Sequence, residues 1–372
     1  MVILGNPVLQ SYRNNKPLQK DILQKPFPFL SGEQAVFSCA REALLYGIKL
    51  LDHVPLKVHI PAYCCQSVLV PFEKLRVEIR FYDVDELLRP AVRNLKFSKG
   101  DIFLLIHYFG IPQDTLSINR LCQEFSMVFV EDCAHTLPDP EATHPMGSIG
   151  ALSIYSLRKQ LPVPDGGVLI VNDPRIKGRM ISNIRLPNLR RMSLRRWLVT
   201  NFDRLAFTLG WPNVLFLKDF LRNVIDSTND VFNENLADDS ISDIHYFTAK
   251  MLERIDIKTV ISARRKNYRY LADRLLNLHG VNVPFPSLPD GAVPQVFPLL
   301  LHNADRVKIY MHRKGIFVGR WPGLEMPKHV SRSDFPVTFS LVDSLLSLPL
   351  HQDLNVTHLD KVIEVLKYAM ES

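Results

Sequence analysis

Val128-Phe129-Val130-Glu131-Asp132-Cys133-Ala134-His135 is an apolar run that ends in two carboxylates, a cysteine and a histidine. Its residue types predict a short buried strand. Ser156-Leu157-Arg158-Lys159 and Asp165-Gly166-Gly167 follow it, around a second apolar run. A carboxylate at a strand end can keep a pyridine nitrogen protonated, which makes the ring an electron sink. A lysine amine can form a Schiff base with an aldehyde. Asp132 and Lys159 therefore offer the pair that pyridoxal phosphate requires, provided the fold brings them together. Taken singly, each has an ordinary reading: the Asp as a turn former, the Lys as a surface charge.

The surrounding sequence supplies a fold in which they could meet. Strands are expected at 57–60, 78–82, 102–107, 127–131, 151–155 and 168–171, each short and bounded by Pro, Gly or Asp. Helical stretches at 66–75 and 116–125 separate several of them, which predicts an α/β fold with a mostly parallel sheet. The polar residues cluster just beyond the strands: Pro61-Ala62-Tyr63, Asp83, His107-Tyr108-Phe109-Gly110 and Asp132. Open α/β sheets bind ligands at that end. Upstream, Ser38-Cys39-Ala40-Arg41 opens an amphipathic helix whose free N–H groups suit an anion.

Bulk properties narrow the class. The 372 residues allow a large core, with 47% hydrophobic and 22% charged residues, ordinary for a globular protein. A net charge of +7 suits acidic ligands such as nucleotides. No basic block interleaves with aromatics in an RNA- or DNA-binding pattern, so nucleic acid is not expected as a partner. The five cysteines (Cys39, Cys64, Cys65, Cys122, Cys133) form no C-x-x-C pair. Neither a disulfide framework nor a metal site is expected, and a reducing, cytoplasmic compartment fits. The first twenty residues do not read as a secretory leader, and no membrane-spanning segment is expected.

Two other chemistries fail on their missing parts. Ser156-x-x-Lys159 matches the S-x-x-K of penicillin-binding proteins, but S-D-N and K-T-G do not occur. No G-x-G-x-x-G follows the first strand, against a dehydrogenase.

The segment 185–231 mixes Arg190, Arg191, Arg195, Arg196 and Arg204 with Trp197, Phe202, Phe207 and Trp211. It reads as a basic, apolar helical insertion, a cover or an interface. The acidic stretch 233–243 marks a boundary, giving a cofactor-binding domain over 1–240 and a smaller α+β domain over 241–372. The second domain is expected to hold a helix over 244–278, a strand over 296–301, and helices over 304–314 and 356–368.

Ten pieces in one order, among them "SCAREALLYGIKLL", "HIPAYCC", "HYFGIPQD", "VFVEDCAHT", "PDGGVLIVND", "ARRKNYRYLADRL" and "LLSLPLH", resemble the nucleotide-sugar aminotransferases of DegT/DnrJ type. These are pyridoxal phosphate enzymes of fold type I. The resemblance implies that Lys159 carries the cofactor, Asp132 pairs with its ring nitrogen, and His135 lies beside the ring. It implies that Ser156 and the backbone at Ala40-Arg41 bind the phosphate. The chain departs from the pattern in several places. Ala40-Arg41 stands for Gly-Thr, Lys159 follows Ser156 two positions early, and Cys65 replaces an aromatic, so ring stacking passes to Tyr63 or is absent. The Asn and Arg that a neighbouring subunit usually lends have no counterpart in Asp238–Ser242. His107, Tyr108, Arg158, Arg320 and Trp321 are candidate substrate contacts. The resemblance implies transfer of an amino group from an amino acid such as glutamate to a nucleotide-linked keto-sugar, by a homodimer. The alternative is a diverged member with a binding or regulatory role. Dehydratase-like relatives replace the lysine, commonly by His, and Lys159 argues against that branch.

Overall fold

The computed structural model describes residues 3, 4, 7, 25–51, 57–93, 95–179, 189–190, 244–322 and 326–371. Its centre is an eight-stranded sheet. Along the chain come β1 (Glu33–Phe37), α1 (Ala40–Lys49), β2 (Lys57–Pro61), α2 (Val70–Lys74), β3 (Glu78–Val84) and β4 (Pro90–Ala91). Then follow β5 (Ile102–Ile106), α3 (Thr115–Glu124), β6 (Val128–Cys133), β7 (Leu152–Ser156) and β8 (Gly167–Val171). The order across the sheet is β1-β8-β7-β6-β5-β2-β3-β4. The run β7-β6-β5-β2-β3 is parallel, while β8, β1 and β4 join antiparallel at the edges.

The middle strands are parallel and buried on both faces, so they are mostly apolar, with His59, Glu131, Asp132, Ser153 and Ser156 as buried exceptions. Every residue of β5, Ile-Phe-Leu-Leu-Ile, is buried. The crossover α3 is capped by Asp114, whose carboxylate accepts from Ser117 N–H at 3.1 Å. The expected strands lie within two residues of the observed ones. β1 was not anticipated: it is an antiparallel edge strand paired with β8 from Glu33↔Val171 to Phe37↔Gly167.

Beyond the sheet, β9 (Leu189–Arg190) pairs in parallel with β10 (Ile244–His245). Apart from those two backbone positions, the 185–231 insertion lies outside the described residues, as do Asp238–Ser242 and the expected boundary at 240. The chain continues with α4 (Tyr246–Leu252), α5 (Ile257–Leu275), β11 (Val296–Leu300), α6 (Ala304–Arg313), α7 (Pro336–Ser344), β12 (Leu345–Pro349) and α8 (Val356–Glu371). The single helix expected over 244–278 is broken, because Asp256 starts a new one by accepting from Lys258 N–H at 3.1 Å. β11 and β12 pair antiparallel. With α5, α6 and α8 they enclose a second core around Leu271, Phe297, Met311, Leu348 and Leu366.

Two placements cross the expected boundary. Ile3 is buried in this second core and bridges Ile316. Ala249, Met251, Val260 and Ile261 pack with Val36, Tyr155 and Val168 of the large sheet and with the adjoining Phe27 and Leu157. Apolar side chains on α4 and the start of α5 therefore cover the strands that carry the site. No helix among the described residues is long and apolar enough to cross a membrane.

Candidate active site

Asp132 and Glu131 are consecutive in β6, so their side chains leave opposite faces of the strand. Asp132 is buried, and its Oδ1 accepts from Ala134 N–H at 2.8 Å. Burial raises its pKa above the ordinary Asp value, against the pull of Lys159, the Ala134 N–H and His107. Lys159 lies half-buried in the 3-10 turn Leu157–Lys159 after β7, close enough for its charge to act on both Asp132 and His135.

His135 is buried, and its Nδ1 accepts from Phe109 N–H at 3.2 Å. Burial, then the charge of Lys159, hold its pKa well below the usual value, so the ring is neutral with its proton on Nε2. It stacks near Phe109, with ring centroids 5.9 Å apart, and meets the edge of Trp321 at 4.8 Å. Trp321 also touches Tyr63 (5.1 Å) and Tyr108 (5.6 Å), forming an aromatic wall.

The phosphate end is assembled by close backbone approach. Ser156 pairs with Gly167 across β7 and β8. A Cβ on Gly167 would stand 2.2 Å from the carbonyl carbon of Cys39 and 2.5 Å from the Ala40 nitrogen. Only glycine lets β8 press against the start of α1. No side chain caps that helix; Glu42 instead accepts from the Ser38 N–H and hydroxyl at 3.2 and 2.9 Å. The first amides of α1, at Ala40 and Arg41, thus open beside Ser156, as an anion requires. A buried carboxylate needing a cation, a nearby lysine and an uncapped helix start fit pyridoxal phosphate.

The remaining sequence candidates sit differently. His107 is fully buried: Nε2 is 2.9 Å from Glu131 Oε2, and Nδ1 accepts from Gln113 N–H at 3.2 Å. Tyr108 is buried and donates to the Tyr63 carbonyl at 2.7 Å. Both act from beneath the site, without surface for a substrate. Tyr63 is fully buried too, and its hydroxyl donates to the Trp321 carbonyl. Arg158 is exposed. Arg320 is held by Asp305 at 2.5 Å and by the Val342 carbonyl.

Sequence reasoning missed Glu131 and Asp165. Glu131 is fully buried and accepts from Gly147, Ile149 and Gly150 N–H at 3.0, 2.9 and 2.5 Å, besides meeting His107. These partners hold its pKa below the ordinary value despite burial. They also occupy the group His107, Glu131 and Cys133, whose spacing would otherwise suit a metal. Asp165 is buried, accepting from His245 N–H at 3.0 Å and the Thr248 hydroxyl at 2.5 Å, and so ties the lysine loop to α4. A carboxylate inside an apolar run was the available signal for Glu131.

The model of the DegT/DnrJ/EryC1/StrS aminotransferase family matches residues 81–202. A dTDP-4-dehydro-2,3,6-trideoxy-D-glucose 4-aminotransferase of Saccharopolyspora spinosa is 24% identical, over 78% of this chain and 68% of its own. A UDP-N-acetyl-3-dehydro-alpha-D-glucosamine 3-aminotransferase of Acidithiobacillus ferrooxidans is 22% identical, over 91% and 85%. Among solved structures, a Helicobacter pylori aminotransferase of pseudoaminic acid biosynthesis superposes with TM-score 0.72 at 13% identity, covering 100% of both chains. An E. coli GDP-4-keto-6-deoxy-D-mannose-3-dehydratase does so with TM-score 0.68 at 14% identity, over 98% and 100%. At these identities the solved structures establish the fold, that of the pyridoxal phosphate-dependent aminotransferases.

Proposed function

We propose that this chain, which resembles the DegT/DnrJ/EryC1/StrS aminotransferases in sequence and fold, moves an amino group from an amino acid, glutamate by expectation, to a nucleotide-linked keto-sugar. The observation that carries the reading is the meeting of Asp132, Lys159 and His135 at the C-terminal end of β6, near an uncapped α1. Curated relatives acting on dTDP- and UDP-sugars support the substrate class.

Pyridoxal phosphate, when bound, supplies an electrophilic carbon and an electron-accepting ring. Lys159 would provide the amine that holds it and, once released, the base whose Nζ takes the proton from the amino-bearing carbon of the donor. The Asp132 carboxylate keeps a proton on the ring nitrogen. A buried carboxylate suits this, since the one backbone N–H it accepts, from Ala134, leaves lone pairs for a ring N–H. His135, with Nδ1 fixed by Phe109 N–H, offers Nε2–H as a neutral donor. Ser156 and the amides of Ala40 and Arg41 take the phosphate, and Trp321 with Tyr63 walls the site from water. Lys159 sets the chain apart from dehydratase-type relatives that lack the lysine.

The working unit is a homodimer with its sites at the subunit boundary, and a monomeric mass by light scattering would count against it. The domains divide near 240, with Ile3 contributing to the second core and the 249–261 stretch to the cofactor domain. A cytoplasmic location is consistent with five free cysteines. The test is the visible spectrum with added pyridoxal phosphate, before and after borohydride, in the wild type and Lys159→Ala. A band that reduction fixes only to the wild type, followed by turnover of a nucleotide-linked keto-sugar with glutamate, supports the enzyme. No band in either protein leaves the binding reading in its place.

A further inference from the structure

Gln160, the residue after Lys159, is fully buried and is hydrogen-bonded to four parts of the molecule. Its side-chain amide donates to the His135 carbonyl at 2.8 Å and the Val293 carbonyl at 3.0 Å. Its own carbonyl accepts from Arg264 Nη2 at 2.9 Å and Gln352 Nε2 at 3.2 Å. Arg264 lies on α5 and is fully buried. Its other nitrogen, Nη1, donates to the carbonyls of Pro294 and Gln295 at 3.1 and 3.0 Å.

These bonds close a ring. Gln295 N–H donates to the Phe109 carbonyl at 2.8 Å, Val293 N–H to the Gly110 carbonyl at 2.9 Å, and Phe109 N–H to His135. The approach at Gly110 is so tight that a Cβ there would stand 1.9 Å from the Val293 oxygen, and its φ is +80°. The lysine turn, His135 and the turn after β5 are thereby tied to α5 through one guanidinium.

Every hydrogen bond of Arg264 ends on a main-chain carbonyl. Burial lowers its pKa to about 9, against the pull of Asp353. A buried charge is a poor device for stability alone, since an apolar side chain of similar size commonly serves as well. A planar fork does what an apolar group cannot: it fixes three carbonyls on two chain segments at set angles.

We infer that Arg264 is a positioning residue for the Lys159 amine, holding the 157–160 turn in register with His135 through Gln160. This rests on the reading of Lys159 as the reacting amine. Arg264→Lys keeps the charge and loses the fork. Gln352→Leu removes one donor from the Gln160 carbonyl at a half-buried position, and folds even if the first variant does not.

In cofactor-free protein, amide hydrogen exchange of the 157–161 segment should quicken about tenfold in Arg264→Lys and less in Gln352→Leu, with β2 and β5 unchanged. In loaded protein, kcat should fall about tenfold or more in Arg264→Lys, with KM held within about twofold, as for a misplaced reacting group. Exchange rising evenly over the whole sheet, or unchanged exchange and kcat in both variants, would overturn the inference. A wild type without a borohydride-fixed band would sink the aminotransferase reading instead. The exchange experiment would still decide whether Arg264 holds the turn.

Discussion

Glu131 and Asp132 are neighbours in one strand, both buried, and the pockets around them are opposites. Glu131 receives three backbone N–H groups and His107, and its pKa falls below the ordinary carboxylate value. Asp132 receives one N–H, with Lys159 nearby, and its pKa rises. A carboxylate whose lone pairs are filled by the protein is a structural anchor, here clamping the 147–150 loop onto β6. One left short of partners has capacity for a ligand's proton. The strand's alternation separates the two tasks by a single residue.

The comparison can be broken from either side. The largest effect is expected from Lys159→Ala, which removes the charge facing Asp132: amino-transfer turnover should fall about 10,000-fold or more, measured with glutamate and a nucleotide-linked keto-sugar. Asp132→Asn should cost about 100- to 1,000-fold in turnover. Its cofactor-free melting temperature should stay level or rise, because the ionised Asp132 is poorly solvated. Glu131→Gln should do the reverse, losing about 3 kcal/mol of stability by denaturant titration, since an amide cannot accept from three N–H groups and His107. A Glu131→Gln protein as stable as wild type, or an Asp132→Asn protein that melts early, would erase the distinction.

Acid provides the smallest and finest test. Glu131 has a lowered folded pKa, so its stabilisation is present above the unfolded value and is lost as pH falls through the folded one. Asp132 has a raised folded pKa. Its contribution favours folding below its unfolded value and is lost as pH rises through the folded one. Cofactor affinity should therefore decline on the acid side at a pH where the fold, watched by far-UV dichroism, is still intact. Coincident loss of affinity and fold would contradict the assignment.

Much of the sheet was legible in the chain. The buried middle strands are runs of Val, Ile, Leu and Phe between Gly, Pro and Asp, and polar residues gathered after them, as the period and punctuation of parallel strands require. β1 and β12 were not read as strands, because edge and two-stranded pairings draw their partners from distant segments: β8 for one, β11 for the other. Asp132 and Lys159 could be singled out from residue type and order, and His135 and Ser156 from the family resemblance. Residue type did not show that His107 and Tyr108 lie beneath the site, that Trp321 faces His135, or that Arg264 reaches the lysine turn. Those facts depend on which groups burial leaves without water, and a hydrogen bond between positions 160 and 264 has no local signature. Sequence alone determined the chemistry this chain carries. Only tertiary packing decided which of two adjacent carboxylates is satisfied and which is left for a ligand, because desolvation and hydrogen-bond partners are properties of the folded surroundings.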